Sequence, residues 1–128
     1  MPAHAPEGVH QLFTQYFSTG NLDLIASLYE PDAVLLPQPG QMARGIPAIR
    51  EVLAGFLAMK GTFQMTPGKV VRANDIAILF SDWTLAATAP DGSSIQLSGQ
   101  TMDVVRRQAD GRWLIVIDSP FGAAGATA

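Results

Sequence analysis

The chain contains no cysteine. Disulfides, thiol nucleophiles, iron–sulfur clusters and thiolate zinc sites are therefore excluded. Its two histidines, His4 and His10, are too few for a histidine-rich metal centre, so no metal and no cofactor is expected. Any catalysis rests on carboxylates, hydroxyls and amides. Positive charge is also scarce: 8 Lys and Arg stand against 11 Asp and Glu, a formal charge of −3. That balance leaves no basic surface for gripping a phosphate backbone, and nucleic acid is not an expected partner. No apolar run approaches the roughly 18 residues of a membrane span. Met1-Pro2-Ala3-His4 has no basic stretch leading into an apolar one. The sequence reads as a cytoplasmic protein without a membrane partner.

What is present is apolar residue in quantity. With 48% hydrophobic and 15% charged residues over 128 positions, the chain can bury a real core and reads as one domain over 1–128. Val9, Leu12, Phe13, Tyr16 and Phe17 fall on one stripe of a helix that Gly20 ends, with His10 off the stripe and exposed. Asn21 can cap a second helix whose stripe, Leu22, Ile25, Ala26 and Tyr29, runs to Glu30-Pro31-Asp32. Ala33 to Leu36 and Gln41 to Arg44 read as short extended pieces around a proline loop. Ile49, Val52, Leu53, Phe56 and Leu57 mark a third helix that starts near Pro47.

Four β segments follow, about Thr62 to Arg72, Ile76 to Thr88, Ser94 to Gln108 and Arg112 to Asp118, separated by Asn74-Asp75, Asp91-Gly92 and Asp110-Gly111. Pro67-Gly68 predicts a bulge or an edge. Residues 122–128 read as a frayed tail. Three helices followed by a meander predict an α+β domain, with a curved, mostly antiparallel sheet wrapped around the helices. Both sheet faces look apolar. A homodimer through the outer face is expected, with Trp83, Met102, Val104, Trp113, Ile115 and Ile117 on that side, unless the sheet curls enough to bury both faces alone.

Turn length places the acids. If Asp110-Gly111 is a two-residue turn, Val105 lies opposite Val116 and Asp103 opposite Asp118. If Asp91-Gly92 is likewise, Phe80 faces Asp103, Asp82 faces Thr101, and Asp82 joins the pair on one surface. Ile78, Phe80, Val105, Leu114 and Val116 would wall that patch, a composition suited to a ligand pocket. Two carboxylates at that distance share a proton, which supplies a neutral acid beside an anionic base. A three-residue turn would slip the register by one and set Asp103 opposite Ile117. The bland reading leaves the acids in water at strand ends.

The element order resembles the nuclear transport factor two-like superfamily, in its SnoaL-like and ketosteroid-isomerase-like branch. So do Gly20-Asn21-Leu22-Asp23, Leu28-Tyr29-Glu30-Pro31-Asp32-Ala33-Val34, Gly45-Ile46-Pro47-Ala48-Ile49-Arg50 and Asp110-Gly111-Arg112-Trp113. The resemblance implies a cone-shaped α+β barrel with a deep apolar cavity, frequent dimers through the sheet, and activities from isomerases to plain binding modules. In ketosteroid isomerases, a worked case of a carboxylic acid kept neutral, a hydrogen-bonding aspartate matches Asp103. The general base of that family falls on Pro37 and its helix-one tyrosine on Phe13. Tyr16 could replace the donor and Gln38 could reach the cavity mouth. Limonene-type epoxide hydrolases pair two strand aspartates, like Asp103 and Asp118, through an arginine whose position falls on Thr101.

The expected catalytic set is thus Asp103, Asp118 and Asp82. The expected ligand-binding set is Phe13, Tyr16, Gln38, Phe56, Ile78, Phe80, Thr101, Val105 and Val116. Three functions fit: an acid–base enzyme of isomerase, cyclase or hydrolase type acting on a small apolar molecule, a non-catalytic binding module, or a dimerisation domain.

Overall fold

A computed structural model describes residues 3–122. Helix α1 (Glu7–Thr19) ends at Gly20, which adopts the left-handed conformation. The Asn21 side chain then accepts the Leu24 N–H and starts α2 (Leu22–Ala26). This second helix is shorter than its stripe predicts. Ser27 turns its hydroxyl back onto Leu24 O, and Leu28 O accepts the Ile115 N–H, which draws the chain into the sheet. Strand β1 (Tyr29–Leu35) therefore begins at Tyr29, which the sequence assigned to the helix. After β2 (Ala43–Arg44), α3 (Ile46–Ala58) carries Pro47 in its first turn, where the missing N–H costs nothing.

Strands β3 (Thr62–Ala73), β4 (Ile76–Thr88), β5 (Ser94–Arg107) and β6 (Trp113–Asp118) match the four predicted segments within a residue or two. The sheet order is β2-β1-β6-β5-β4-β3, antiparallel except for β1 against β6. It is a curved, unclosed sheet whose concave face holds the helices, an α+β cone. The pairing of β3 with β4 shifts between Pro67 and Val70, the bulge that Pro67-Gly68 predicts. Of the predicted tail, Gly122 is buried and ordered in a turn, and 123–128 lie outside the described residues. Among the described residues no helix is long and apolar enough to cross a membrane.

Two hairpins depart from the expected register for one reason. Ala89 N–H donates to Ser93 O, and Gln108 N–H to Arg112 O, so each loop has three residues, Pro90-Asp91-Gly92 and Ala109-Asp110-Gly111. In each the glycine is left-handed. The aspartate accepts the N–H two residues on, at Ser93 and at Arg112, the local bond that favours a tight turn followed by a left-handed residue. Across β4 and β5 the slip stands: Leu79 faces Asp103, and Asp82 faces Gln100.

Asp82, Ile78 and Phe80 are therefore on the outer face, not the acid surface, while Trp83 points inward. Across β5 and β6 the slip is undone. Val105 pairs with Ile115 but Val104 with Ile117, so Val116 is an extra residue in a bulge, and Asp103 and Asp118 come next to each other after all. Trp113, 1% exposed, and Ile115 also belong to the interior rather than to the outer face.

Candidate functional site

A hollow opens between α1, α3 and the concave face of the sheet. Its walls are chiefly aromatic, from Phe13, Phe17, Phe56, Phe63, Trp83 and Phe121, and its polar floor is His10, Thr101, Asp103 and Asp118. The volume is small, about 60 Å³. Four of the wall rings form a chain of contacts from Phe13 through Phe17 and Phe63 to Trp83, at centroid distances of 5.0–6.1 Å.

Asp103, 3% exposed, is the hub of the floor. Its Oδ2 accepts from His10 Nε2 at 2.6 Å, and its Oδ1 accepts from Thr101 Oγ1 at 2.8 Å and from the Ser119 N–H at 3.0 Å. Asp118 lies beside it on the neighbouring strand, and each carboxyl shifts the pKa of the other. Taking a carboxylate out of water costs several kcal/mol. Hydrogen bonds to a charged group return about 1.5–3 kcal/mol each, so this many donors can outweigh the cost. Burial pushes Asp103 up, but the hydrogen bond and charge of His10, with Asp118 and Thr101, hold its carboxyl below the ordinary range.

Asp118 has the opposite balance. Burial, then the charge of Asp103, push it well above the ordinary value, and only the Tyr29 hydroxyl, donating to Oδ2 at 2.5 Å, pulls it down. Asp118 is therefore the neutral acid and Asp103 the anion. Tyr29 is itself raised, first by burial and then by Asp118.

His10, 4% exposed, also bonds Ser81 Oγ through Nδ1 at 2.8 Å. With Nε2–H toward Asp103 and Nδ1 toward Ser81, both ring nitrogens are engaged within the fold.

Of the predicted site residues, Asp103, Asp118, Thr101, Phe13 and Phe56 come together here. Asp82 is exposed on the far face, and Phe80 lines a shallow depression with it there. Tyr16 is buried but lines a separate hollow beside Trp113 and Leu28, because α1 turns it about 60–100° round the helix from Phe13 and Phe17. Gln38 is exposed in its loop. Val105 points inward as core and Val116 is the half-buried bulge residue; neither is on the wall.

On the floor the residues missed were His10, read as exposed, and Tyr29, read as helical; on the walls they were Phe17, Phe63, Trp83, read as outward-facing, and Phe121. A signal for His10 exists: His10, Phe13 and Phe17 stand at i, i+3 and i+7 and form a second stripe. Tyr29→Phe should raise the Asp118 carboxyl further and cost about 1–2 kcal/mol, since a buried acceptor loses its donor. Denaturant unfolding of the variant and carbon NMR of the aspartates check both.

Residues 9–116 match the SnoaL-like domain. The chain belongs to the SnoaL-like family. Solved structures agree with this SnoaL-like domain in fold. A ketosteroid isomerase-like protein from Erwinia carotovora atroseptica superposes with a TM-score of 0.76 at 20% identity, over 88% of this chain and 89% of that one. A nuclear transport factor 2-like superfamily protein from Salmonella enterica gives 0.77 at 18%, over 91% and 87%. A protein from Streptomyces avermitilis described as a candidate dehydratase of the same superfamily gives 0.70 at 17%, over 88% and 90%. Among curated protein sequences none gives a significant match to the SnoaL-like chain.

Proposed function

We propose that this SnoaL-like domain binds a small apolar molecule in the hollow and moves a proton within it, as a cofactor-independent acid–base enzyme of isomerase, cyclase or hydrolase type. The observation that carries this reading is the pairing of two buried carboxyls, Asp118 and Asp103, side by side at the floor of an apolar hollow, their pKa values pushed in opposite directions. A neutral carboxylic acid at pH 7 can donate to an oxygen on which charge develops, and a dry site strengthens that bond. Asp118 is assigned that role. Asp103 is assigned the role of the anion that takes up and returns the displaced proton, and His10 and Thr101, bonded to it, hold it in place. The isomerase and dehydratase names carried by two structural neighbours are consistent with this chemistry and do not extend beyond those proteins.

The test is exchange of the α-protons of 2-cyclohexen-1-one in D2O, followed by proton NMR. Exchange above the buffer rate is expected, falling about 10²-fold or more in Asp118→Ala, which removes the donor. One observation favours a second reading, non-catalytic binding: among the described residues no buried side-chain N or O atom lacks a hydrogen-bond partner, so the floor is satisfied without a ligand. Binding of the ketone with no exchange would establish that reading instead.

A second copy of the chain is the proposed partner on the outer face, where Val71, Ile78, Phe80, Met102, Val104 and Ile117 remain. Ile117 is 38% exposed at the bulge. Sedimentation velocity should show a dimer that Ile117→Glu converts to monomer; a wild-type monomer at micromolar concentration removes the proposal.

A further inference from the structure

We propose that Phe121 is the specificity-determining residue of the hollow. Held over the cavity by the turn Ser119–Gly122, its ring occupies ligand space and limits the domain to uncharged molecules of a single ring. This rests on the reading of the hollow as a ligand site.

The argument starts from volume. An apolar cavity of about 150 Å³ is what one benzene ring fills, whereas this one offers about 60 Å³. A side chain has to move before even one ring can enter. All the lining residues except Pro120 and Phe121 sit on helices or strands, so these two alone come from a turn that closes over the hollow. Phe121 is half-buried and meets Trp83 edge-on, with ring centroids 5.6 Å apart.

The backbone that carries Phe121 is anchored on both sides. Trp83 Nε1 donates to Pro120 O at 2.6 Å, Ser119 Oγ donates to Gly122 O, and the Gly122 N–H returns to Ser119 O. Two glycines make this seat possible. A Cβ on Gly99 would stand 2.7 Å from Pro120 O and 3.2 Å from Phe121 Cδ1. Gly122 is left-handed, and a Cβ there would stand 2.9 Å from Gln100 O. The turn is thus pinned, so the phenyl ring keeps its seat over the hollow: tilting about its side-chain torsions admits one ligand ring beside it, and only its removal opens room for a second. Among the described residues no Lys or Arg lines the hollow, and its floor carries two aspartates, so a carboxylate or phosphate would enter without a lysine or arginine counter-charge and against Asp103.

The test measures binding calorimetrically with 2-cyclohexen-1-one, the two-ring ketone 2-tetralone, and benzoate. Wild-type protein should take the one-ring ketone about tenfold or more tighter than the two-ring ketone, since each misfit group in a rigid apolar pocket weakens binding by at least that order. It should not take benzoate. Phe121→Ala should reverse the preference toward 2-tetralone. Gly99→Ala, which keeps the phenyl ring but displaces the turn, should weaken the discrimination too; circular dichroism establishes that both variants are folded. An unchanged ratio in the folded variants, or benzoate bound as well as the ketones, overturns this inference and leaves the ligand-site reading standing. No binding of either ketone by wild type or by the folded variants removes the ligand-site reading, and this inference with it.

Discussion

Asp103→Ala should lower the melting temperature by about 10 °C or more at neutral pH and reduce α-proton exchange by about 10²-fold or more. The stability loss follows from geometry. His10 Nε2, Thr101 Oγ1 and the Ser119 N–H all converge on one carboxylate in a dry interior. Thr101 Oγ1 alone has a second acceptor, Ser119 O, at 3.2 Å. Removing one partner of a buried ionic network costs about 3–5 kcal/mol, most of it the desolvation of the groups left behind. Asp103→Asn should be milder, because its amide oxygen still accepts while its NH2 faces donors. Thermal unfolding followed by circular dichroism separates the two variants. A shift of less than about 2 °C for the alanine variant, a half kilocalorie or so in a domain of this size, would mean that the carboxylate is not the hub.

Asp118→Asn should change the pH dependence of stability more than its magnitude. The folded-state pKa of Asp118 is raised. Its protonated form contributes stability that is fully present below the unfolded value of about 3.9. That stability is lost as pH rises toward the folded value, at up to about 1.4 kcal/mol per pH unit. Asp103 works the other way: its folded pKa is lowered, so its contribution is present above the unfolded value and is lost as pH falls through the folded one.

Wild-type stability should therefore fall off in acid because of Asp103 and decline again as pH rises above about 4 because of Asp118. Asparagine copies the neutral acid. Its NH2 can donate to Asp103 and its carbonyl can accept from Tyr29. The variant should keep the acid limb, lose the decline at higher pH, and match or exceed wild type at pH 9. Urea unfolding at several pH values measures this. A variant that retains the wild-type slope between pH 5 and 9 would show that Asp118 is not the group holding the proton.

The two acids illustrate how a sequence can give the right neighbours for a wrong reason. The expected Asp103–Asp118 adjacency assumed a two-residue loop at Asp110-Gly111. The loop has three residues, and the extra residue at Val116 restores the offset before the strands reach the acids. The same assumption at Asp91-Gly92 had no compensating bulge, so Asp82, Ile78 and Phe80 went to the outer face and Trp83 to the inner one. At Asn74-Asp75, which the sequence marks as a hairpin turn, the loop does have two residues and Ala73 pairs with Ile76. An aspartate followed by a left-handed glycine favours a turn but leaves its length open, and a one-residue error exchanges the two faces of a strand.

Local chemistry sufficed for the three helices, the four long strands, the Pro67-Gly68 bulge and the α+β class, because hydrophobic period, proline and glycine act within a few residues of themselves. Only the assembled structure decided that His10 and Tyr29 join the acids, that Tyr16 and Gln38 do not, and that Phe121 sits over the hollow. Those placements depend on strand register, a bulge and the early end of α2. These are settled by contacts between segments up to 93 positions apart, as with His10 and Asp103, where burial and hydrogen bonding across the fold outweigh any preference that a short stretch of chain carries alone.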